Sequence, residues 1–212
     1  MKRVFKWIGI ILAGIIVLLL LAGATLYGMS ARKLGAKHIV APEPELNITS
    51  DSATIARGTH LVASLPCGQC HAADLGGSVF ADAGPFGLLS APNLTRGRGG
   101  RNPPLTDVEW ERAIRHGVRR DSTSLQLMPS EVFHSFTDQD MAAMIAYLKQ
   151  APAVDREVPP FKLRIIGRMI LGLGQLPLAA DTTPKSAHLA SVDTTPGATY
   201  GRYLVTVAGC QG

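Results

Sequence analysis

Cys67-Gly68-Gln69-Cys70-His71 constrains this chain more than any other stretch of it. Two thiols two residues apart, with an imidazole directly after the second, form the attachment signature of a c-type haem. The thiols add across the two vinyl groups on one porphyrin edge. Two intervening residues let a short helical turn present both sulfurs at that separation, and the next residue points its imidazole at the iron. Cys67 and Cys70 are the expected attachment residues and His71 the proximal ligand. Two other chemistries use C-x-x-C. A redox dithiol belongs to a βαβ context, which the flanking sequence lacks. A zinc site takes four ligands, and Cys210 is the one further cysteine in the chain.

The second constraint is Trp7 to Tyr27, 21 residues without a charge. At about 1.5 Å per residue such a helix crosses a hydrocarbon core of roughly 30 Å. Lys2, Arg3 and Lys6 before it favour a cytoplasmic N-terminus, while Arg32, Lys33 and Lys37 follow it. A cleaved signal peptide with Ala22 and Ala24 at its cleavage site is the rival reading, but its apolar core would be unusually long. An uncleaved anchor is expected. The net charge of +5 sits at the ends: residues 51–152 hold nine Lys/Arg against ten acids. Nucleic-acid binding needs a clustered basic face and has no support here.

Composition and periodicity divide the rest. Residues 1–30 read as the anchor and 31–50, with Pro42 and Pro44, as a tether. Residues 51–153 carry three helical signatures. Asp51 or Ser52 caps a helix bearing Ile55, Leu61 and Val62; Thr106 to Glu109 form a capping box before Trp110, Ile114 and Val118; Thr137 opens a helix striped by Met141, Met144, Ile145 and Leu148. No strand pattern competes with them, so the expected fold class is all-α. Residues 154–198 form a connector whose apolar part, Phe161 to Ala180, has three charges and several glycines. That makes it a poor span; it reads as a packing segment or an interfacial helix.

A haem with one histidine ligand takes a sixth ligand or leaves an open site. Met128, His116, His134, Met141 and Met144 are the candidates. Pro129 ends any helix at Met128 and holds an extended loop there, from which a thioether can be aimed. Met141 and Met144 lie on the helical stripe and read as core. His116 and His134 have charged or polar neighbours and read as surface residues. Met128 is therefore the expected distal ligand. A His/Met iron has a raised potential and is closed to oxygen, which suits electron relay.

Five stretches carry a family resemblance: ARGTHLVASLPCGQCH, Pro92-Asn93-Leu94-Thr95, TDVEWERAIRHGV, LMPSEVF and TDQDMAAMIAYLK. In this order they resemble a class I cytochrome c domain of membrane-bound bacterial multihaem cytochromes c, similar to the cytochrome subunits of periplasmic dehydrogenases. The resemblance spans residues 56–150. It implies one haem c bound by Cys67, Cys70 and His71, with Met128 distal and Pro92 and Asn93 near the haem. The Arg-Gly-rich loop from Arg96 to Arg101 and the longer polar run before Met128 depart from the family pattern. The family also carries repeated haem units. Gly58, Leu61, Val62 and Cys67 recur as Gly201, Leu204, Val205 and Cys210 at one offset of 143 residues. Residues 199–212 accordingly read as the truncated start of a second such domain, and a second haem is expected only beyond Gly212. A chain end with a lone thiol is the alternative.

The expected function is a single-pass cytochrome of the cytoplasmic membrane, not itself an enzyme, with its haem domain facing the periplasm. Its expected partners are a dehydrogenase subunit as donor and an oxidase or another cytochrome as acceptor. The alternatives are a peroxidase-like haem enzyme with an open sixth site and, from another class, a zinc or dithiol module.

Overall fold

The computed structural model describes residues 2–101, 103–186 and 188–210. Helix α1 (Lys2–Gly35) is an uninterrupted rod of roughly 50 Å, long and apolar enough to cross a membrane. Its large apolar side chains from Val4 to Leu21 are exposed. Helix α2 (Ser52–Ser64) begins where the Asp51 carboxylate accepts the Ala53 and Thr54 amides at 3.0 Å. It leads through Leu65 and Pro66 into the short helix α3 (Cys67–His71). Strands β1 (Ser78–Asp82) and β2 (Gly87–Ala91) follow. Helix α4 (Asp107–His116) opens on the expected capping box, Thr106 with Glu109. Arg120 pairs with Glu109 and, with the box, holds that carboxyl down at about 2.

Past Pro129 come α5 (Ser130–Phe133) and α6 (Asp138–Gln150), the latter capped by Thr137, whose hydroxyl accepts the Asp140 amide. The chain ends with β3 (Lys162–Leu163), α7 (Ile165–Gly172), α8 (Ala179–Thr182) and α9 (Ala198–Val207).

Helices α2 and α6 cross at the centre of the domain. Gly58 makes the crossing close: a Cβ there would overlap the Ala143 carbonyl and press on Tyr147. The core beneath it is built by Val62, Trp110, Ile114, Phe136, Ile145 and Leu148, with Met141 and Met144 fully buried among them. Each such side chain contributes roughly 1.5–3 kcal/mol of burial. Arg115, wholly buried, ties α4 to the segment before α6. Its guanidinium donates to the His134 and Phe136 carbonyls at 3.2 and 2.6 Å and pairs with Glu111 and Asp138. A buried cation is tolerable only with such a full set of acceptors.

Two expectations need correction. The domain is not all-α: β1, β2 and β3 form a three-stranded antiparallel sheet. The strands are short, β1 carries a bulge, and neither long strand alternates in burial, so the sequence shows no period of two. Residues 31–50 are not a free tether. Residues 31–35 extend α1, the His38 amide donates to the Ser122 carbonyl at 2.8 Å, and Leu46 and Ile48 pack on the core. The connector also folds back, supplying β3 and laying α7 against α1.

Helix α9 starts one residue before the expected repeat, and Gln211 and Gly212 lie outside the described residues. It docks on the domain through Tyr203 and Val207. The Tyr203 hydroxyl donates to Asp140 Oδ2 at 2.5 Å, and Asp140 also pairs with Arg57. Leu204 and Val205, the counterparts of Leu61 and Val62, stay exposed.

The two repeat glycines therefore predict opposite outcomes. Gly58→Ala should destabilise the domain by more than about 2 kcal/mol, because backbone must move to admit the methyl. Gly201 has open space around it, so Gly201→Ala should be neutral or gain up to about 1 kcal/mol of helix propensity. Chemical denaturation of the two variants, followed by circular dichroism, checks both.

Candidate haem site

Helix α3 exists because Pro66 fixes the chain just before Cys67 and the Gln69 amide turns back onto the Pro66 carbonyl at 3.1 Å. Directly after His71 the chain leaves the helix through Ala72, a non-glycine residue at φ 62°. The backbone then folds over the motif: the Gly77 amide donates to the His71 carbonyl at 2.8 Å and the Ser78 hydroxyl to the Cys70 carbonyl at 2.6 Å. Gly77, at φ 79°, lies so close to residues 91–93 that a Cβ would strike that backbone. This close approach brings the Pro92 carbonyl to 2.8 Å from His71 Nδ1.

That bond decides the tautomer. A carbonyl can only accept, so Nδ1 carries the proton and Nε2 presents its lone pair, as an iron-ligating imidazole must. Burial holds the ring below its ordinary pKa, against the Pro92 bond and with the help of the nearby Arg101 charge. The neutral, ligating form is thereby favoured. Burial also pushes the Cys67 thiol up to about 11.

Pro92 and Asn93 play separate parts. Pro92 meets His71 through its carbonyl. Asn93, 1 % exposed, uses its amide to clamp two loops together: Nδ2 donates to the Val154 and Arg156 carbonyls at 2.7 and 3.2 Å, and Oδ1 accepts the Thr95 amide at 2.9 Å. It positions Pro92 rather than offering a free polar group.

Met128 is partly buried and packs on the same apolar cluster as Cys67, Leu61 and Leu94. Its loop is tightly built. Leu127 before it adopts φ 55°, the Met128 amide donates to the Gln126 carbonyl at 2.7 Å, and Pro129 caps α5 behind it. Arg119 bonds both the Ser124 carbonyl and the Gln126 side chain, ordering the polar run that precedes the methionine. Left-handed non-glycine residues thus flank both expected ligands, a form of backbone strain that gathers at functional sites.

The other proposed ligands stand elsewhere. Met141 and Met144 are core residues on α6. The surface expectation for His116 and His134 is corrected: His134 is buried, and His116 is largely covered. His116 Nε2 meets Glu43 at 3.0 Å, and His134 Nε2 donates to the Ser186 carbonyl at 2.9 Å. Their partners Glu43, Ser186 and His188 come from distant parts of the chain, which no local pattern reveals.

Sequence reasoning missed Arg101. Its guanidinium is largely buried beside Leu94, Leu105 and Trp110, and its Nε has no partner among the described residues. Arg119 and Arg120 stand close enough to depress its pKa, after burial itself. An orphaned cation near His71, beside an apolar cleft, suits the carboxylated edge of a porphyrin. With the Nε2 lone pair and the two thiols of α3, the residues present fit a haem.

Residues 55–152 match the cytochrome c family, so this part of the chain belongs to that family and implies covalently bound haem c, with Cys67 and Cys70 in position to attach it. The relatives it resembles are named as dehydrogenase subunits. The chain is 30% identical to the cytochrome c subunit of a quinone alcohol dehydrogenase from Gluconacetobacter polyoxogenes, over 76% of this chain and 35% of the relative. It is 28% identical to the cytochrome subunit of fructose dehydrogenase from Gluconobacter japonicus, over 52% of this chain and 25% of that one. It is 33% identical to a nicotinate dehydrogenase subunit from Pseudomonas putida, over 77% of this chain and 14% of that relative. The chain thus spans about a third or less of these relatives' length.

Replacing Arg101 by Leu should leave the haem attached and lower its midpoint potential, since a positive charge beside the porphyrin favours the reduced state. Redox titration checks this; an unchanged potential would place Arg101 away from the haem edge.

Proposed function

We propose that the chain is a membrane-anchored c-type cytochrome that relays single electrons through a His/Met-ligated haem, as a cytochrome subunit of a periplasmic dehydrogenase complex. The observation that carries this reading is the His71–Pro92 hydrogen bond, which presents Nε2 as a ligand from the same short helix as both thiols. Haem supplies a reversible one-electron couple. The chain's own residues hold it: Cys67 and Cys70 by thioethers, His71 and Met128 at the iron, Arg101 at the propionate edge. Asn93 steadies the carbonyl that fixes His71. None of these residues offers acid–base or nucleophilic chemistry to a substrate, which supports a carrier over an enzyme. The names of the relatives support a dehydrogenase subunit as donor; another cytochrome or an oxidase is the proposed acceptor.

The membrane reading rests on α1 and on what packs against it. Helix α7 meets α1 at the end of the apolar run: Gly172 lies on the Leu26 backbone, and the Arg168 guanidinium sits 4.3 Å from the Tyr27 ring centroid. Lys33 Nζ donates to the Leu171 carbonyl at 3.1 Å. Ile165 and Leu173 remain exposed beside them, as does Phe86 on the β1–β2 turn that bonds α7. With α1 in a bilayer, α7 lies in the interface, its apolar side chains in lipid and its cations near headgroups. The haem domain then rests on the membrane instead of swinging on a tether.

Met128→Ala should retain covalent haem but lose the methionine–iron charge-transfer band and lower the midpoint potential. A variant that keeps both properties would refute the assignment, and native peroxidase activity with a high-spin reduced spectrum would favour the open-site enzyme. Protease added to intact spheroplasts should remove the haem domain and leave α1 behind; protection, or a mature N-terminus at Thr25, would overturn the periplasmic anchoring.

A further inference from the structure

A second group of ligating side chains lies outside the haem site, where three separate segments converge. Glu43 comes from the stretch after α1, Glu111 from α4 and His188 from the connector, and one ligand atom of each lies within 4.8 Å of the others. His116 stands on Glu43 Oε2 at 3.0 Å and Asp138 Oδ1 lies 2.6 Å from His188 Nδ1. Buried Arg115 pairs with Glu111 and Asp138 but not with Glu43, whose two oxygens face imidazoles.

His188 exposes the imbalance. It has a carboxylate oxygen at each ring nitrogen: Asp138 at Nδ1 and, 3.4 Å from Nε2, Glu43 Oε1. The Asp138 contact is close, though poorly aligned for a hydrogen bond. A neutral imidazole has one N–H, so it can meet at most one of these two carboxylates with a donor. At the other nitrogen a lone pair faces an anionic oxygen, which is repulsive unless a cation lies between them. Nearby His134, 4 % exposed and 6.2 Å ring to ring from His188, keeps Nδ1 without a partner among the described residues. Two buried imidazole nitrogens of the pocket, His134 Nδ1 and His188 Nδ1, thus stand without a hydrogen bond among the described residues.

We infer that Glu43, Glu111 and His188 form a binding site for a divalent transition ion of the zinc type. Nitrogen and oxygen ligands about 2.1 Å from one tetrahedral ion stand about 3.4 Å apart. The His188–Glu43 edge already has that spacing, and the Glu111 ligand atom lies within 4.8 Å of both, so a contraction of at most about 1.4 Å brings it into the set. Asp138 Oδ1 stands 2.6 Å from Nδ1, where a small turn of the ring lets it accept the proton and fix the tautomer of a metal-bound histidine. His116 steadies Glu43 from the far side. With three protein ligands the ion keeps its fourth position for water, and it fastens the segment after α1 and the connector to the haem domain.

The test uses the full haem-bearing chain in detergent, stripped with chelator, loaded with Zn2+, dialysed and assayed by mass spectrometry for zinc per haem iron. One zinc per haem is expected, with a zinc-dependent rise in the thermal midpoint. His188→Gln and Glu43→Gln should each weaken zinc binding at least tenfold while leaving the haem absorption spectrum unchanged. Two variants guard against one of them misfolding, which the haem spectrum reports. Zinc absent from the parent chain, or retained equally by both variants, overturns the inference. A thermal midpoint of the parent that does not respond to zinc also overturns it.

Discussion

The close crossing of α2 and α6 at Gly58 and Ala143 is the contact on which the rest of the domain depends. It places the C-terminal end of α2, and so Pro66 and the helical turn from Cys67 to His71, over the core laid down by Ile145 and Leu148. A side chain at residue 58 would part the two helices and carry the thiols away from that surface. The same crossing buries Asp140 at its edge. Arg57 from α2 and Tyr203 from α9 converge on this carboxylate, so three helices from well-separated parts of the chain share one buried charge. Such a charge is tolerable in the interior because each of its oxygens has a donor.

Around that crossing, loops carry the positioning work, and arginine and asparagine hold the loops. Arg115 gathers two carbonyls and two carboxylates, Arg119 orders the run before Met128, and Asn93 bridges residues 93–95 to 154–156. These are long-range hydrogen bonds from fixed, multidentate groups, suited to holding irregular backbone that has no repeating ladder. The cost of this arrangement is visible in the backbone. Ala72 and Leu127 take left-handed conformations next to the two expected ligands. The polar run before Met128 is one of the segments these clamps hold.

Much of the domain was legible from local chemistry. The Asp51 cap, the Thr106–Glu109 box and the Thr137 cap all form, because a cap depends on residues within one turn of each other. Met141 and Met144 are core for the same kind of reason: helical spacing already puts them on one face. The sheet was not legible, since β2 pairs with β3 across some seventy residues and none of the strands alternates in burial over a useful length. His116 and His134 misled because their neighbours in sequence are polar. The groups that cover them, Glu43, Ser186 and His188, are distant in the chain.

By itself, then, the sequence determined what depends on a handful of adjacent residues: the attachment motif, the helix caps, the apolar run of α1 and the identity of the cytochrome c domain. Covalent spacing and hydrogen bonds within one turn are local, and they are readable without a fold. Only the tertiary structure decided that the Pro92 carbonyl fixes the His71 tautomer, that Arg101 Nε lies buried without a partner among the described residues, and that residues 36–48 and the connector are fastened to the domain. Those outcomes depend on which distant segments share one buried space. That is set by how the apolar faces of α2, α4 and α6 close on each other, and no local pattern in the chain records it.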